Sequence, residues 1–460
     1  MASRSIVALV LIVSSAHLAM GQDTTRVSLL FVGDIMQHDS QINAAYDPVS
    51  KSYDYSACFQ YVKPVIQSAD IAIANLEVTL AGPPYKGYPQ FSAPDQLAEE
   101  LKETGFDVLV TANNHSLDRR KKGLERTIDV LDTLSIPHTG TFKDSASRAI
   151  KYPLVIEKNG LRFSLLNYTY GTNGIPVTSP NIVNLIDTVQ IKTDLAKARE
   201  QNTDAIIVFM HWGAEYQDAP NRSQKQIAKL CFENGAMLVI GAHPHVVQPM
   251  ERDTVKNTLV AYSLGNFVSG QQSRYRDGGV MLWVELEKLS AADSSSTVTI
   301  KKASYELEWV YRNNESPKKY FILPVKEFEK DTLLLTTSAS KGMFKVFKDD
   351  SRKLFLKNKN VPESDRLPFE TSYYRIVLTS SSDSLLAVDS TSILNFYGME
   401  VEQVNDSLFN WTTGKFHDRE IAEQALNEIK SSTPYADAKI VWYYWDRRRE
   451  ELPSGKENSN

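Results

Sequence analysis

The amino-acid sequence predicts an α/β protein with a largely parallel sheet, followed by a second, smaller α+β domain. From Arg26 to about Glu308, short runs of Val, Ile and Leu alternate with longer helical patterns, which is typical of parallel strands joined by helices. After Asn313 the chain becomes polar and rich in Lys and Pro, and apolar runs return near Tyr373. A length of 460 residues also exceeds the usual size of one domain.

The elements of the large domain follow from its apolar runs and turn residues. Helices are predicted over Gly123–Leu134 and Ser223–Glu233. Asn159-Gly160 between two apolar runs predicts a tight hairpin, and Gly278–Leu286 with Thr297–Tyr305 predicts a second antiparallel pair. The remaining predicted strands are Val27–Val32, Ile71–Ala74, Val108–Val110, Leu154–Ile156, Phe163–Leu166, Ala205–Met210, Met237–Ile240 and Thr258–Tyr262.

The first residues have the layout of a secretory signal peptide, residues 1–21. Arg4 precedes the apolar run Ile6–Val13, and the small residues Ala19 and Gly21 stand at the −3 and −1 positions of a cleavage site. The apolar run is shorter than the roughly 20 residues that span a bilayer. We therefore expect an exported protein, periplasmic or associated with the cell envelope, with no transmembrane segment after cleavage.

Composition excludes several classes of protein. The chain is 42% hydrophobic and 23% charged, as in ordinary globular proteins. With 51 Lys and Arg against 56 Asp and Glu, its net charge of −5 argues against a nucleic-acid partner. Cys58 and Cys231 are the only cysteines, so a disulfide framework and a Cys-based zinc site are both excluded. Whether these two thiols pair stays open, and two buried free thiols are the simpler interpretation.

Polar motifs recur near the predicted strand ends. The first five of them each follow closely on a predicted strand, and in an open α/β sheet the loops after the carboxyl ends of strands converge on one crevice. Side chains far apart in sequence are therefore expected to meet there. The motifs begin at Gly33 (GDIM), Asn75 (NLE), Ala112 (ANNHSLD), His211 (HWGAE), Gly241 (GAHPH), Ser263 (SLGNF) and Asp277 (DGG).

The residue types in these motifs are those of a metal site. Two carboxylates, one amide oxygen and three imidazoles form a donor set that suits Zn, Mn or Fe better than a thiolate-selected metal or Ca. A polar pocket without metal is the alternative interpretation. The candidate ligands are Asp34, Glu77, Asn114, His211, His243 and His245.

The order of these motifs resembles the CapA-type family of poly-γ-glutamate capsule biosynthesis proteins over about Val27–Phe267. That family is similar to the calcineurin-like metallophosphoesterases. The resemblance implies a four-layer α-β-β-α sandwich with the six candidate ligands around one or two divalent metal ions. It also implies that His115 is the acid that protonates the leaving group.

Two residues depart from the wider metallophosphoesterase pattern. Met36 stands where that group often has His, and Glu77 lies in an Asn-Leu-Glu in place of a Gly-Asp. Both changes weaken the first metal position, so one metal is an alternative to two. His38 is a possible replacement imidazole, although an exposed loop histidine is the more ordinary interpretation.

Further residues near the motifs have open roles. Asp118 either orients His115 as part of the catalytic pair or caps the helix expected near Lys121. Glu215 and Asn266 are candidates for substrate binding, although Glu215 could instead support a metal ligand, and Asn266 could either orient a ligand or cap a turn. Trp212 is a candidate wall of the substrate cleft.

The carboxyl-terminal part resembles a SPOR domain in Tyr374–Leu378, Leu408–Gly414, Arg419–Lys430 and Ala438–Val441. The resemblance implies a βαββαβ fold that binds peptidoglycan glycan strands. Tyr374 and Trp411 are candidate glycan contacts, and packing of such rings under the helix is the alternative. The expected organisation is a signal peptide at 1–21, a metallophosphatase-like domain at 22–312, a partly helical connector at 313–369, a SPOR-like domain at 370–448 and a frayed tail at 449–460.

Together these features predict an exported metal-dependent hydrolase that acts on a phosphoester or amide bond of a capsule or envelope polymer. The SPOR-like domain would direct the enzyme to peptidoglycan. A non-catalytic protein that binds the polymer or assists capsule assembly is the alternative, and Met36 is the residue that favours it.

Overall fold

The structure, a computed structural model of the chain, describes most residues from Asp23 to Arg449. The predicted signal peptide and residues 450–460 of the predicted tail lie outside the described residues. Among the helices that are described, none has the length and apolar character to span a membrane. The described ranges are 23–290, 296–313, 316, 318–329, 334–366, 372–382, 394, 397–405, 408–416, 419–444 and 447–449.

The strands and helices are numbered here in chain order. The strands are β1 (Asp23–Ile35), β2 (Tyr46–Asp47), β3 (Ser52–Tyr53), β4 (Ile71–Leu76), β5 (Val108–Val110), β6 (His138–Thr139), β7 (Thr141–Phe142), β8 (Leu154–Lys158), β9 (Leu161–Thr169), β10 (Ile182–Val183), β11 (Ala205–His211), β12 (Leu238–Ala242), β13 (Val247–Asp253), β14 (Thr258–Leu264), β15 (Asn266–Val268), β16 (Gly278–Ser290), β17 (Ser296–Arg312), β18 (Tyr320–Pro324), β19 (Ser372–Ser381), β20 (Met399–Asn405), β21 (Leu408–Phe416), β22 (Lys439–Tyr444) and β23 (Arg447–Arg449). The helices are α1 (Asp39–Ala45), α2 (Ser56–Phe59), α3 (Lys63–Gln67), α4 (Gln96–Thr104), α5 (Arg120–Thr133), α6 (Ser145–Lys151), α7 (Thr188–Glu200), α8 (Arg222–Glu233), α9 (Val325–Phe328), α10 (Ser338–Phe355) and α11 (Arg419–Ser432).

The large domain contains two mixed sheets. The first has the order β18-β17-β16-β1-β4-β5-β6, with β15 also paired to β1, and its strands from β1 to β6 are parallel. The second has the order β13-β14-β12-β11-β9-β8, with a parallel centre of β14, β12, β11 and β9. The prediction of an α/β protein with a largely parallel sheet plus antiparallel hairpins is confirmed.

Alternating side chains give each sheet two apolar faces. In β1, Leu29 and Phe31 pack in the core between the sheets, whereas Leu30 and Val32 pack in a second cluster under helices α2, α3 and α4. In the second sheet, Tyr168 and neighbouring residues pack in a third cluster under α7 and α8. The sequence of layers is therefore helix, sheet, sheet and helix.

The predicted strands before residue 270 are all present, with bounds a few residues longer in most cases. The hairpin prediction is also confirmed, because Lys158 pairs with Leu161 and the two turn residues have φ values of 48° for Asn159 and 73° for Gly160. Cys58 and Cys231 are buried and free, in clusters on opposite outer faces of the sandwich.

The described residues of the segment predicted as a connector, 313–369, pack with the large domain instead. Strand β18 extends the first sheet by pairing with β17, and helix α10 packs Phe344, Phe347 and Phe355 into the core between the sheets. Arg366 then binds both Glu306 of β17 and Glu327 of α9. The polar composition of this segment reflects its exposed face, while its aromatic residues recur at helical spacing and cover core that would otherwise face water.

The carboxyl-terminal part forms its own antiparallel sheet with the order β20-β21-β19-β22-β23. Helix α11 packs on one face through Ala422, Ala425 and Ile429. The described elements follow one another as β19, β20, β21, α11, β22 and β23, and most residues between β19 and β20, where the βαββαβ resemblance implies a further helix, lie outside the described ranges.

Replacing Phe347 tests the assignment of α10 to the large domain. Phe347→Ala removes a ring that is 1% exposed, and we expect it to lower the free energy of unfolding by about 3–5 kcal/mol. Met343→Ala in the same helix, where the side chain is 51% exposed, is the matched control with little expected effect. Urea denaturation measures the free energy of unfolding of both variants. Equally small losses for Phe347→Ala and Met343→Ala would contradict the packing of α10 in the core of the large domain.

Candidate metal centre

The site lies where the carboxyl ends of parallel strands from both sheets meet. Asp34 is near the end of β1, and the register places it between Asn75 of β4 and Asn266 of β15. Gly33 permits this arrangement, since a Cβ atom at that position would lie 2.0 Å from the Gly265 carbonyl oxygen. The Asp34 backbone N–H donates to the same oxygen at 3.0 Å.

The buried Asp34 carboxylate accepts hydrogen bonds from both sheets. Asn75 Nδ2 donates to Oδ1 at 2.8 Å, and the backbone N–H of His243 donates to Oδ2 at 3.2 Å. His245 Nδ1 lies 3.1 Å from Oδ2 and 3.0 Å from Asn266 Oδ1. Because both of these atoms are acceptors, Nδ1 carries the proton, which leaves the Nε2 lone pair of His245 free toward Glu77.

His211 is the last residue of β11 and is fully buried. Its Nε2 lies 2.7 Å from Asn114 Oδ1, and its Nδ1 lies 3.2 Å from Asn75 Nδ2. The amide group of Asn75 thus bridges Asp34 and His211, a role that sequence analysis missed although Asn75 begins one of the motifs.

Glu77 lies at the centre of the cluster, where no described residue donates a hydrogen bond to its carboxylate. Its side chain is fully buried, and neither carboxylate oxygen has a hydrogen-bond partner among the described residues. Oε1 lies 3.5 Å from His211 Nε2 and 3.9 Å from His245 Nε2. His243 Nδ1 is likewise buried and without a described partner. Orphaned polar atoms of this kind in a shared buried space are what a cation would satisfy.

Two groups of side chains have the spacing of metal ligands, and Glu77 belongs to both. One consists of Glu77, His243 and His245, and the other of Asp34, Glu77 and His211, with the ligand atoms of each group within 4.8 Å of one another. The structure therefore brings all six predicted ligands into one cluster, with Asn114 joined to it through His211.

The electrostatics of the cluster favour neutral imidazoles beside ionised and protonated carboxyls. Burial and the neighbouring imidazoles hold the pKa of His211 well below its usual range, and they lower the pKa of His243 to about 3. Burial raises the pKa of Asp34, but the His245 and Asn75 contacts outweigh it and the net shift is downward. Burial, with Asp34 nearby, raises the pKa of Glu77 well above its usual value. Neutral imidazoles are the form that binds metals.

The loop that carries two of the imidazoles has an uncommon backbone. His243 has φ 97° and His245 has φ 58°, a region that residues other than glycine seldom adopt. Left-handed conformations at two alternate residues point both rings into the cluster at a cost in backbone energy, and such costs concentrate at functional sites.

His115 and Asp118 form a buried pair beside the cluster. His115 Nδ1 lies 2.7 Å from Asp118 Oδ2, which also accepts the backbone N–H of Phe91 at 2.7 Å. The Phe91 ring meets the His115 ring edge to face at 4.6 Å. Helix α5 begins at Arg120, and its N-cap residue is Arg119. Of the two interpretations of Asp118, the structure favours orientation of His115 over helix capping.

The other sequence-based candidates divide into three cases. Asn266 is buried and hydrogen-bonds His245, so it holds a ligand rather than contacting substrate directly. Glu215 is exposed beside Tyr216 at the edge of the cluster. The prediction that Trp212 forms a wall of the cleft is wrong. Its side chain is 2% exposed, packs against Tyr262 and donates a hydrogen bond to the Tyr262 carbonyl oxygen in the core under α8.

Aromatic residues at the edge of the site were not predicted. Tyr170, just after β9, packs against His243 with ring centroids 4.5 Å apart, and the Tyr216 ring lies 6.1 Å from that of His245. The Arg276 guanidinium stacks 4.5 Å above the Tyr216 ring. The position of Tyr170 directly after a strand was the available signal, whereas that of Arg276 depends on a loop far along the chain.

Neither Met36 nor His38 belongs to the two groups of possible metal ligands among the described residues. Met36 is 2% exposed and packs in the cluster under α2 and α3. His38 is half-buried rather than exposed, and its Nδ1 accepts a hydrogen bond from the backbone N–H of Gly270 at 3.1 Å. Burial lowers the pKa of His38 to about 4.

The two-sheet sandwich and the buried cluster of imidazoles and carboxylates at its strand ends together indicate an α/β protein with a candidate metal centre. Residues 28–271 match the family described as bacterial capsule synthesis protein PGA_cap, and the chain belongs to this family. It is 28% identical over 370 residues to capsule biosynthesis protein CapA of Bacillus anthracis, which covers 74% of this chain and 80% of that protein. It is 29% identical over 265 residues to PGA biosynthesis protein CapA of Bacillus subtilis (strain 168), which covers 55% of this chain and 67% of that protein.

Solved structures give weaker matches. A hypothetical protein from Thermus thermophilus aligns with a TM-score of 0.32 and 16% identity, over 61% of this chain and 99% of that chain. The NAD nucleotidase of Haemophilus influenzae aligns with a TM-score of 0.38 and 13% identity, over 72% of this chain and 68% of that chain.

The raised pKa of Glu77 predicts a specific dependence of stability on pH in the metal-free protein. A carboxyl whose folded-state pKa is raised contributes stability below its unfolded-state pKa and loses it as the pH rises through the folded-state value. We expect Glu77→Gln, which is neutral at every pH, to remove this loss and raise the melting temperature near neutral pH. Thermal melts with chelator, from about pH 4 to about pH 8, compare the two proteins.

The matched control is Glu215→Gln, which changes an exposed carboxylate in the same region. Its pH profile should follow that of the unmodified protein. Parallel profiles for the unmodified protein and Glu77→Gln would contradict a raised pKa of the buried Glu77 carboxyl.

Proposed function

We propose that this protein is an exported metal-dependent hydrolase that cleaves a phosphoester or amide bond in a capsule or cell-envelope polymer. The observation that carries the proposal is Glu77, whose two buried oxygens lack described hydrogen-bond donors and face imidazoles from β11 and from the loop after β12. A buried carboxylate is expensive unless it is protonated or bound to a cation. Membership of a capsule synthesis family supports a capsule polymer as the substrate.

The residues present fit one or two divalent ions, namely Mn, Zn or Fe. Glu77 belongs to both ligand groups, so it would help to hold an ion at either position. His245 Nδ1–H donates hydrogen bonds to Asp34 and Asn266, and these fix the tautomer that leaves Nε2 available, as expected of a metal-binding histidine. A divalent ion would supply Lewis acidity toward water and toward the scissile group.

His115 is the proposed general acid. Because Nδ1–H of His115 donates a hydrogen bond to Asp118, Nε2 is the ring atom that would give a proton to the leaving group or take one from it. Asp118 is in turn fixed by the Phe91 backbone N–H, and Phe91 packs against the imidazole ring. This arrangement restricts rotation of the ring and excludes water from one side of it.

The edge of the site supports an anionic substrate. Arg276 is a cation beside a cluster otherwise lined by carboxyls and neutral imidazoles, and its guanidinium is held against Tyr216. Tyr170 on the other side offers an aromatic surface against His243. A phosphoester or the carboxylates of a polyglutamate chain would both find a counter-charge there.

The second candidate function is binding of the polymer without catalysis, as an accessory of capsule assembly. Met36 favours it, since a buried thioether in the first motif replaces an imidazole that would complete a second metal position. A missing imidazole would lower the affinity for metal, whereas the cleft could still bind the polymer.

Activity of the metal-loaded enzyme separates the two candidates. His115→Ala should lower hydrolysis of bis(p-nitrophenyl) phosphate or of a γ-glutamyl amide by about 10²–10⁴-fold, because it removes the general acid. Asp118→Asn should give a smaller loss by freeing the ring to rotate. His138→Gln, at a half-buried histidine of β6 outside the cluster, is the matched control. Metal content is measured on the same samples after purification without chelator.

Two outcomes would contradict the hydrolase proposal. A protein that binds no metal would remove the centre itself. If the protein binds metal but His115→Ala hydrolyses both substrates as fast as the unmodified protein, the proposed catalytic pair is contradicted. Polymer binding then remains as the function.

We also propose that the carboxyl-terminal domain directs the exported protein to peptidoglycan glycan strands. The support is its antiparallel sheet with α11 on one face, together with the signal-peptide layout of residues 1–21. Tyr374 packs against the cluster that faces α11. That packing is the alternative to glycan contact for Tyr374, so the proposed glycan contact is Trp411, which is half-buried.

Binding to sacculi stripped of stem peptides tests this targeting. The full chain should sediment with the sacculi, whereas a chain that ends at Arg366 should remain in the supernatant. Trp411→Ala in the full chain should reduce retention about tenfold if the ring is an energetic hot spot for glycan. Ile421→Ala, at an exposed position of α11, is the control. Equal retention of the full and shortened chains would contradict the targeting role.

A further inference from the structure

A second cavity lies apart from the candidate metal ligands. It encloses about 520 Å³ between α1, the β2–β3 hairpin, α2 and the start of β18. Within the part of the chain that the structure describes, its lining includes none of the six proposed ligands. The lining residues used below are Gln37, Tyr46, Asp47, Tyr53, Asp54, Tyr55 and Lys319.

Two polar atoms in this lining are buried without a partner among the described residues. They are the Gln37 Oε1 atom and the Tyr55 hydroxyl, in side chains of residues that are 1% and 4% exposed. Neighbouring Gln41 differs, because its Nε2 donates to the Met36 carbonyl and its Oε1 accepts the His38 backbone N–H. Buried polar atoms that nothing in the described fold satisfies indicate a ligand that does.

The two orphaned atoms have complementary chemistry. Gln37 Oε1 can only accept a hydrogen bond. Burial raises the pKa of Tyr55 above its usual value, so its hydroxyl stays protonated and can donate. A ligand that satisfies both atoms must offer a donor and an acceptor close together, as a sugar hydroxyl or an N-acetyl group does.

The remaining lining favours a neutral ligand with apolar faces. Tyr46 and Tyr53 pack with ring centroids 5.3 Å apart, and Tyr46 is 43% exposed, so its ring is accessible. Tyrosine rings combine an apolar face with a polar tip, which suits the C–H faces and hydroxyls of a sugar. Among the described lining residues, the carboxylates of Asp47 and Asp54 outnumber the single cation Lys319, which disfavours phosphate and polyglutamate.

We propose that this cavity is a binding site for a neutral sugar ring, with Gln37 and Tyr55 as its polar contacts and Tyr46 as its stacking surface. The site is separate from the hydrolytic centre, although Gln37 follows Asp34 by only three residues in the loop before α1. Peptidoglycan and a capsule sugar both present such rings.

Titration of the full chain with small probes tests the proposal. N-acetylglucosamine and methyl β-glucoside are the probes, L-glutamate and inorganic phosphate are the anionic controls, and chelator keeps the metal centre empty. Saturation-transfer NMR should detect saturable binding of at least one sugar. Tyr55→Phe and Gln37→Met should each weaken it at least tenfold, and Tyr46→Ala should also weaken it.

Melting temperatures distinguish a loss of sugar binding from a loss of folding in these variants. Tyr55→Phe removes a hydroxyl with no described partner, so its melting temperature should equal or exceed that of the unmodified protein. Tyr275→Phe makes the same change at an exposed tyrosine outside the cavity and should alter neither binding nor stability. The proposal is overturned if neither sugar binds, if glutamate or phosphate binds more tightly, or if Tyr55→Phe and Gln37→Met leave sugar binding unchanged.

Discussion

The buried Asp34 carboxylate is the interaction on which the site depends. It belongs to the first sheet, yet two of its hydrogen-bond partners, the His243 backbone and the His245 ring, follow β12 of the second sheet. One charged group therefore joins the two sheets at their carboxyl edges. Because a buried carboxylate needs several donors, the position of Asp34 also fixes Asn75 and, through it, His211.

Around this fixed group the structure leaves Glu77 unsatisfied. Asp34 is ionised by its donors, whereas Glu77, equally buried, has no described donor and a raised pKa. Two carboxyls in one environment are thus driven to opposite protonation states in the absence of a cation. The same contrast separates the two histidine roles, since His115 has a carboxylate partner in Asp118 while Nδ1 of His243 has no described partner. Asp118 thus positions His115, whereas His243 Nδ1 and the Glu77 oxygens are available for a ligand.

Sequence analysis predicted more of the site than of its surroundings. The ligand candidates and the His115–Asp118 pair are carried by short motifs at strand ends, and the topological rule that strand ends converge is sufficient to group them. Asn75, Tyr170 and Arg276 were missed because their roles come from register and loop approach. Trp212 and the 313–369 segment were misjudged because local composition does not report which face a residue presents to the core.

The sequence by itself determined the alternation of strands and helices, the hairpin at Asn159-Gly160 and the set of polar side chains at the strand ends, since each depends on neighbours within a few residues. Only the tertiary structure decided that α10 completes the core, that Asp118 orients His115, and that Glu77 lacks a described donor. These facts depend on contacts between residues far apart in the chain, and the free energy of burying a charge or a ring depends on those contacts rather than on the residue type.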